Sequence, residues 1–246
     1  MDKPKQWGID GDVVVYRVGF ASDKNEDSLE DTLAATKAAL QSIINSCGDE
    51  GTIYLTGPNN FRFEETAGCF AYKANRKDAG KPTFYDEIRS FMITEYGAEL
   101  QDGQEADDAL AIGAMQHGHG IATIDKDLDG CPGWHYNWVK EDTYYVSEVE
   151  ADRFFYTQML TGDATDGIPG LFKMLGKKAM PKTKAPLQEL ETPIEMYAYV
   201  RSVYCAGYAE VGMCLDEMDE VIDRWLLSIG RALWMRREED QLWVAP

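Results

Sequence analysis

Apolar positions along the chain follow two spacings, short buried runs and longer helical stripes, and the two alternate. Gln6-Trp7-Gly8-Ile9-Asp10 and Val13-Val14-Val15-Tyr16 read as a buried strand running into a turn and short helix. From Ser28 to Asn45, Leu29, Leu33, Ala34, Ala38, Leu40, Ile43 and Ile44 mark an amphipathic helix, opened by Ser28 with Asp31 behind it and closed by Gly48. Thr52–Thr56 is a second strand ending at Gly57-Pro58-Asn59-Asn60. Phe84, Ile88, Phe91 and Met92 give a helix over Thr83–Glu95, and Gln104–Gln116 gives another, followed by a strand at Gly120–Ile124. This alternation predicts an α/β fold.

Trp134–Val139 and Thr143–Val146 read as a hairpin around Lys140-Glu141-Asp142. Helices are predicted at Glu148–Leu160, Ile194–Tyr204 and Met213–Leu227, the last with a buried stripe of Val221, Ile222, Trp225 and Leu226, continued by Ile229. Between the second strand and the next helix, residues 61–82 interleave aromatics with cations, a pattern that suits a phosphate backbone with stacked bases and also a solvated loop. No repeat or low-complexity tract interrupts the chain.

Composition narrows the classes. The 246 residues, 44% hydrophobic and 27% charged, suffice for one α/β core with a small appended subdomain. No run of eighteen apolar residues and no signal-like start are present, so a cytoplasmic protein without membrane contact is expected; a monomer is expected as well. Five cysteines without a C-x-x-C read as reduced thiols, not as a zinc site or disulfide frame. His117, His119 and His135 are read as non-catalytic. The net charge of −19 argues against a nucleic-acid partner unless bound cations or local patches invert it.

The acids are grouped. Glu105, Asp107 and Asp108 stand just before an apolar run; Asp10 and Asp12 follow the first strand, Asp125 and Asp127 end the Gly120–Ile124 strand, and Asp163 and Asp166 lie in Gly162–Gly170. Carboxylates in a helix's first turn also answer the macrodipole, which alone explains one such group. Four groups whose strands end on one edge of a parallel sheet would converge. Two unit charges ~4 Å apart repel by about 4 kcal/mol at an effective dielectric near 20, so cations must sit between them. Oxygen ligands without His or Cys select Mg²⁺, with Mn²⁺ able to substitute, and acids from four segments suit two ions and phosphodiester chemistry. Two other readings remain open: a haloacid-dehalogenase-type phosphatase using Asp10 as nucleophile, which leaves Glu105, Asp107, Asp108, Asp125 and Asp127 unexplained, and a non-catalytic DNA-binding module.

In order, Ile9-Asp10-Gly11 with Arg17, Phe61-Arg62, Tyr72-Lys73-Ala74-Asn75-Arg76, Glu105-Ala106-Asp107-Asp108, Asp125-Lys126-Asp127 and Gly162-Asp163 to Pro169-Gly170 resemble the phage and bacterial 5′-nuclease family, which includes flap endonucleases. The resemblance implies a PIN-like domain over 1–150, with a mostly parallel central sheet flanked by helices and a helical arch at about 60–82. It also implies a helical DNA-binding subdomain over 151–246 containing a helix-three-turn-helix at about 162–180. It assigns metal binding to Asp10, Glu105, Asp107, Asp108, Asp125, Asp127, Asp163 and Asp166, and makes Lys73 and Arg76 the catalytic cations of the arch. Arg17, Arg62, Lys173, Lys177 and Lys178 become further DNA contacts. The implied activity is a 5′→3′ exonuclease or flap endonuclease acting on duplex ends, flaps or branched DNA with two Mg²⁺ ions. Two departures accompany it. Thr56 stands where the family usually has an Asp, which predicts weaker binding of one ion. The clamp's K⁺-type backbone site meets Lys173 near an expected Gly, and no Thr precedes Ala179.

Overall fold

In chain order, strand β1 (Trp7–Asp10) leads directly into α1 (Gly11–Asn25), and α2 (Leu29–Cys47) is followed by β2 (Gly51–Thr56). A short α3 (Arg62–Thr66) and a 3₁₀ turn (Ala74–Asp78) precede α4 (Tyr85–Tyr96), β3 (Glu99–Gln101), α5 (Ala106–His117) and β4 (Gly120–Ala122). After a 3₁₀ turn at Lys126–Gly130 come β5 (Gly133–Asn137), β6 (Asp142–Val146) and α6 (Glu148–Thr161). The chain then forms β7 (Gly162–Asp163), β8 (Ile168–Pro169), α7 (Leu171–Met174), α8 (Pro181–Lys184), α9 (Pro193–Glu210) and α10 (Leu215–Leu233). This computed structural model describes residues 3–48, 51–78, 80–174, 181–210, 212 and 215–246.

The chain divides into two units. The first comprises Met1–Asn60, Gly80–Ser147 and Met235–Asp240; the second comprises Phe61–Ala79, Glu148–Trp234 and Gln241–Pro246. The arch segment, expected within the N-terminal domain, therefore groups with the helical unit.

The first unit is built on a six-stranded sheet in the order β3-β2-β1-β4-β5-β6, parallel except for the β5/β6 hairpin. Central β1 is buried throughout, with Ile9 in register with Ile53 of β2 and Ala122 of β4. Strand β3, three residues long, lies below what periodicity detects. The short helix expected after Asp10 is a 15-residue helix, because Asp10 itself is the N-cap and accepts from Val13 N at 3.1 Å. Ser28 caps α2 by accepting from Asp31 N, and Gly48 closes it in the left-handed region. Strand β4 stops at Ala122, earlier than expected, and Asp125 caps the turn that follows.

In the second unit α6, α9 and α10 share one core, in which Phe155, Tyr156, Met159, Val200, Tyr204, Ile222, Leu226 and Ile229 are buried. The Tyr204 hydroxyl, the polar end of a buried ring, donates to Met159 O at 2.7 Å. Helix α9 outruns its expected end at Tyr204, and α10 extends to Leu233, since both continue to pack on this core.

Candidate active site

Strands β1, β2 and β4 run parallel, so their carboxyl ends lie on one edge of the sheet. Asp10 ends β1 and is 2% exposed. Its Oδ2 accepts from the Thr123 hydroxyl at 2.7 Å, and Thr123 Oγ1 in turn accepts from Asp125 N at 2.9 Å. Burial pushes the Asp10 carboxyl up to about 7; the Thr123 hydrogen bond opposes this, and the charges of Asp12 and Asp125 reinforce it. Asp10, Asp12 and Asp125 are thus brought together electrostatically.

Asp12 is held differently. Its Oδ1 pairs with Arg89 Nη1 at 2.8 Å, and its Oδ2 accepts from Thr56 N at 3.0 Å. Thr56, at the end of β2, also takes Arg89 Nη2 on its carbonyl at 2.7 Å and Ala106 N on its hydroxyl at 2.9 Å. The neighbouring Gly57 passes so near β3 that a Cβ there would come within 2.1 Å of Gln101 O. Only glycine fits that crossing.

At the start of α5, Glu105 is buried and Asp107 half-buried, while Asp108 is 0% exposed. Asp108 accepts from Glu105 N and from Arg236 N, each at 3.0 Å, so both its oxygens already answer backbone amides. This is a capping role for one of the acids expected to bind metal. Asp127 follows in the next turn, its N–H donating to Asp125 Oδ1 at 2.9 Å.

Among the described residues, no three Asp, Glu, His or Cys side chains stand together as a ready ligand cage. The donor chemistry nonetheless fits a hard divalent cation: all the acids are oxygen donors, a carboxylate keeps free lone pairs beside one accepted hydrogen bond, and Asp10 sits where added positive charge is favourable.

The remaining acids belong to the second unit. Asp163 Oδ1 accepts from Thr165 N at 2.8 Å in a local turn. Asp166 gathers the arch cations: Tyr72 Oη donates to it at 3.0 Å, Lys73 Nζ lies 3.5 Å away, and Arg76 Nη2 pairs with its other oxygen. The backbone joins in, with Lys73 N donating to Asp166 O at 2.7 Å and Asn75 Nδ2 donating to Ala164 O at 2.7 Å. Lys73 adopts a φ of 53°, uncommon for a residue with a side chain. Gly162 and Gly170 close this turn so tightly that a Cβ on Gly170 would come within 2.4 Å of Gly162 N.

Arg62, expected to contact DNA, does not reach solvent. It is 0% exposed, donates to Ala232 O and Trp234 O at 2.9 Å each, and lies over the Phe61 ring. It is an internal clamp on the end of α10, and the aromatic-basic pattern that flagged it cannot tell a buried guanidinium from an exposed one. Arg17 is exposed beside Trp138, 5.6 Å from the ring centre, and Lys173 is exposed in α7. Lys177, Lys178 and most of the expected K⁺ turn lie outside the described residues. His135 is buried, with Nε2 2.9 Å from Cys131 O, and burial lowers its pKa, in keeping with a structural histidine.

Sequence reasoning missed Thr123 and Arg89, and gave Tyr72, part of a quoted motif, no role of its own. A hydroxyl two residues before Asp125 was the available signal for Thr123.

No family model and no curated protein matches the chain by sequence. Its structure has the PIN-like fold of the 5′→3′ exonucleases and flap endonucleases. It is similar to the T5 D15 protein co-crystallised with metal ions, with a TM-score of 0.62 and 14% identity over 92% of this chain and 89% of that one. It is also similar to the catalytic core of Rad2 in complex with DNA substrate, with a TM-score of 0.56 and 14% identity over 99% of this chain and 84% of that one. Human GEN1 in complex with Holliday junction DNA gives a TM-score of 0.51 and 15% identity over 99% of this chain and 64% of that one. Among the described residues no helix is long and apolar enough to cross a membrane.

Proposed function

We propose that the chain is a divalent-metal-dependent 5′→3′ nuclease that hydrolyses DNA phosphodiester bonds with water as nucleophile, working as a monomer. The observation that carries this reading is the meeting of Asp10, Asp12 and Asp125 at the carboxyl edge of a parallel sheet whose fold is that of 5′-exonucleases. In it, Asp10, Asp125, Asp127, Glu105 and Asp107 would hold two Mg²⁺ ions, for which Mn²⁺ would substitute, whereas Asp166, paired with Lys73 and Arg76, positions those cations. Asp108 serves these acids by fixing the first turn of α5. Bound there, the ions would acidify a water and offset charge on the reacting phosphate.

The chain's own residues do the rest. Lys73 and Arg76 donate to the scissile phosphate and stabilise the charge that builds there, and Arg17 holds a neighbouring phosphate. Lys173, Lys177 and Lys178 bind the duplex without touching the reaction. The aspartyl-phosphate alternative leaves Glu105, Asp107, Asp125 and Asp127 without a role, whereas the nuclease reading uses them all.

The test is incubation of 5′- and 3′-labelled duplex, flap and single-stranded DNA with Mg²⁺, Mn²⁺ or EDTA, beside a phosphate-release assay on a small phosphate ester. Metal-dependent shortening from the 5′ end supports the proposal. Release of phosphate with intact DNA would replace it with the phosphatase, and binding without loss of DNA would replace it with the non-catalytic module.

A further inference from the structure

Arg89 lies on α4, outside every motif that marks the site, yet its guanidinium is directed at the carboxyl edge of the sheet. Its side chain is 13% exposed and rests 5.4 Å from the ring centre of Tyr85, one helical turn earlier. We propose that Arg89, acting through Asp12 and Thr56, is a positioning residue for the acids assigned to the metal ions, an inference that rests on the nuclease reading.

One arm of the fork meets Asp12 Oδ1 and the other Thr56 O, while Thr56 N returns to Asp12 Oδ2, closing a ring of three hydrogen bonds across α4, α1 and β2. A planar fork spans two acceptors at a fixed angle, which an ammonium cannot do. Asp12 is in the first turn of α1, two residues after Asp10. The third polar atom of Thr56, its Oγ1, accepts from Ala106 N at 2.9 Å. Ala106 is the first residue of α5, set between Glu105 and Asp107, and its N–H is one of the donors a helix start cannot satisfy internally.

The network therefore reaches the Asp12 carboxylate, two residues after Asp10, at one end and the backbone between Glu105 and Asp107 at the other. It gives the segments carrying three assigned acids one shared reference, Thr56, all of whose polar atoms are engaged. A brace serving only to fasten α4 to the sheet would have no need of the contact to α5. Outer contacts of this kind set ligand orientation and typically change metal affinity or activity by about 10- to 100-fold when removed.

The test compares the parent with Arg89→Lys, Thr56→Val and Thr56→Ser. Mn²⁺ affinity of the DNA-free protein is read by electron paramagnetic resonance, the single-turnover rate at saturating DNA with Mg²⁺, DNA affinity in Ca²⁺, and the midpoint of thermal unfolding. Arg89→Lys and Thr56→Val should weaken Mn²⁺ binding and the saturated rate by about 10- to 100-fold, with DNA affinity within about twofold of the parent. Thr56→Ser keeps the hydroxyl and should restore both. If Arg89→Lys fails to fold, the Thr56 pair decides, since valine matches threonine in shape.

Variants that shift only the unfolding midpoint, with Mn²⁺ affinity and rate at parental values, would overturn the positioning role and leave the nuclease reading standing. A parent that binds Mn²⁺ without cutting DNA counts against the nuclease reading alone, and Mn²⁺ affinity then judges the positioning. A parent that does neither removes both.

Discussion

Asp10 and Asp166 are both carboxylates in sites of assigned chemistry, but they are answered in opposite ways. Asp10 is met by a hydroxyl and an amide N–H while the charges of Asp12 and Asp125 press on it. Asp166 is met by a phenol, an ammonium and a guanidinium from one short segment, Tyr72–Arg76. The first cluster therefore retains a demand for positive charge, and the second keeps its cations in place against a carboxylate. Neutralising an acid should consequently harm function in the first cluster, whereas removing a cation should harm it in the second.

The largest expected effect is at the first cluster. Asp125→Asn should abolish DNA cleavage in Mg²⁺ while leaving DNA binding in Ca²⁺ intact, as single-turnover assays and fluorescence anisotropy would register. A fully active variant would break the comparison. In the second cluster, Lys73→Ala should lower the saturated single-turnover rate by about 10²- to 10³-fold and weaken binding far less, as expected of a contact that strengthens in the transition state. Loss of affinity alone would reassign Lys73 to substrate holding.

Arg62 sharpens the contrast, since it is a cation of the same stretch that faces inward. Arg62→Ala leaves the buried Ala232 carbonyl and the part-buried Trp234 carbonyl without their charged donor and should cost roughly 3 kcal/mol in denaturant unfolding. Lys73→Ala should be close to neutral in that measurement. Equal stability of the two variants would sink the internal-clamp assignment.

The charge demand at Asp10 should also appear in the metal-free protein. With a folded pKa of about 7 against a usual 3.8, the folded state keeps a proton that the unfolded chain releases between those values. Stability from this group therefore falls as pH rises across that window and is flat above it. Thermal unfolding of the parent should drop relative to Asp10→Asn between pH 4 and 7, and Mg²⁺ at pH 8 should recover the loss in the parent alone. Parallel pH profiles for the two proteins would remove the raised pKa. Smallest of all, replacing Lys177 and Lys178 together with Ala should reduce the log–log salt slope of DNA binding by about 2 and leave the saturated rate nearly unchanged.

Much of this was legible because local signals agree with the fold. Ser28 and Gly48 bracket α2, the apolar runs locate β1 and β2, and the acids sit where parallel strands end. What stayed hidden depends on partners far along the chain. An arginine in an amphipathic helix reads as a solvated cation, so Arg89 gave no sign of reaching Asp12, and Thr56 drew notice only for lacking a charge. Arg62 misled for the same reason, because its acceptors lie beyond residue 230. The grouping of Phe61–Ala79 with the helical unit likewise follows from contacts with residues such as Asp166 and Ala232, which no window of local sequence contains.

The bond between Arg236 N and Asp108 has a bearing on how the protein is made. Its partners are 128 positions apart, and the short segment Met235–Asp240 rejoins the first unit only after nearly all of the second has been synthesised. On the ribosome, the acidic start of α5 must therefore wait for residue 236 to emerge before both oxygens of Asp108 are engaged. A nascent chain arrested before that point should display the sheet in protease-protection or hydrogen-exchange measurements, but with α5 less protected than in the released protein.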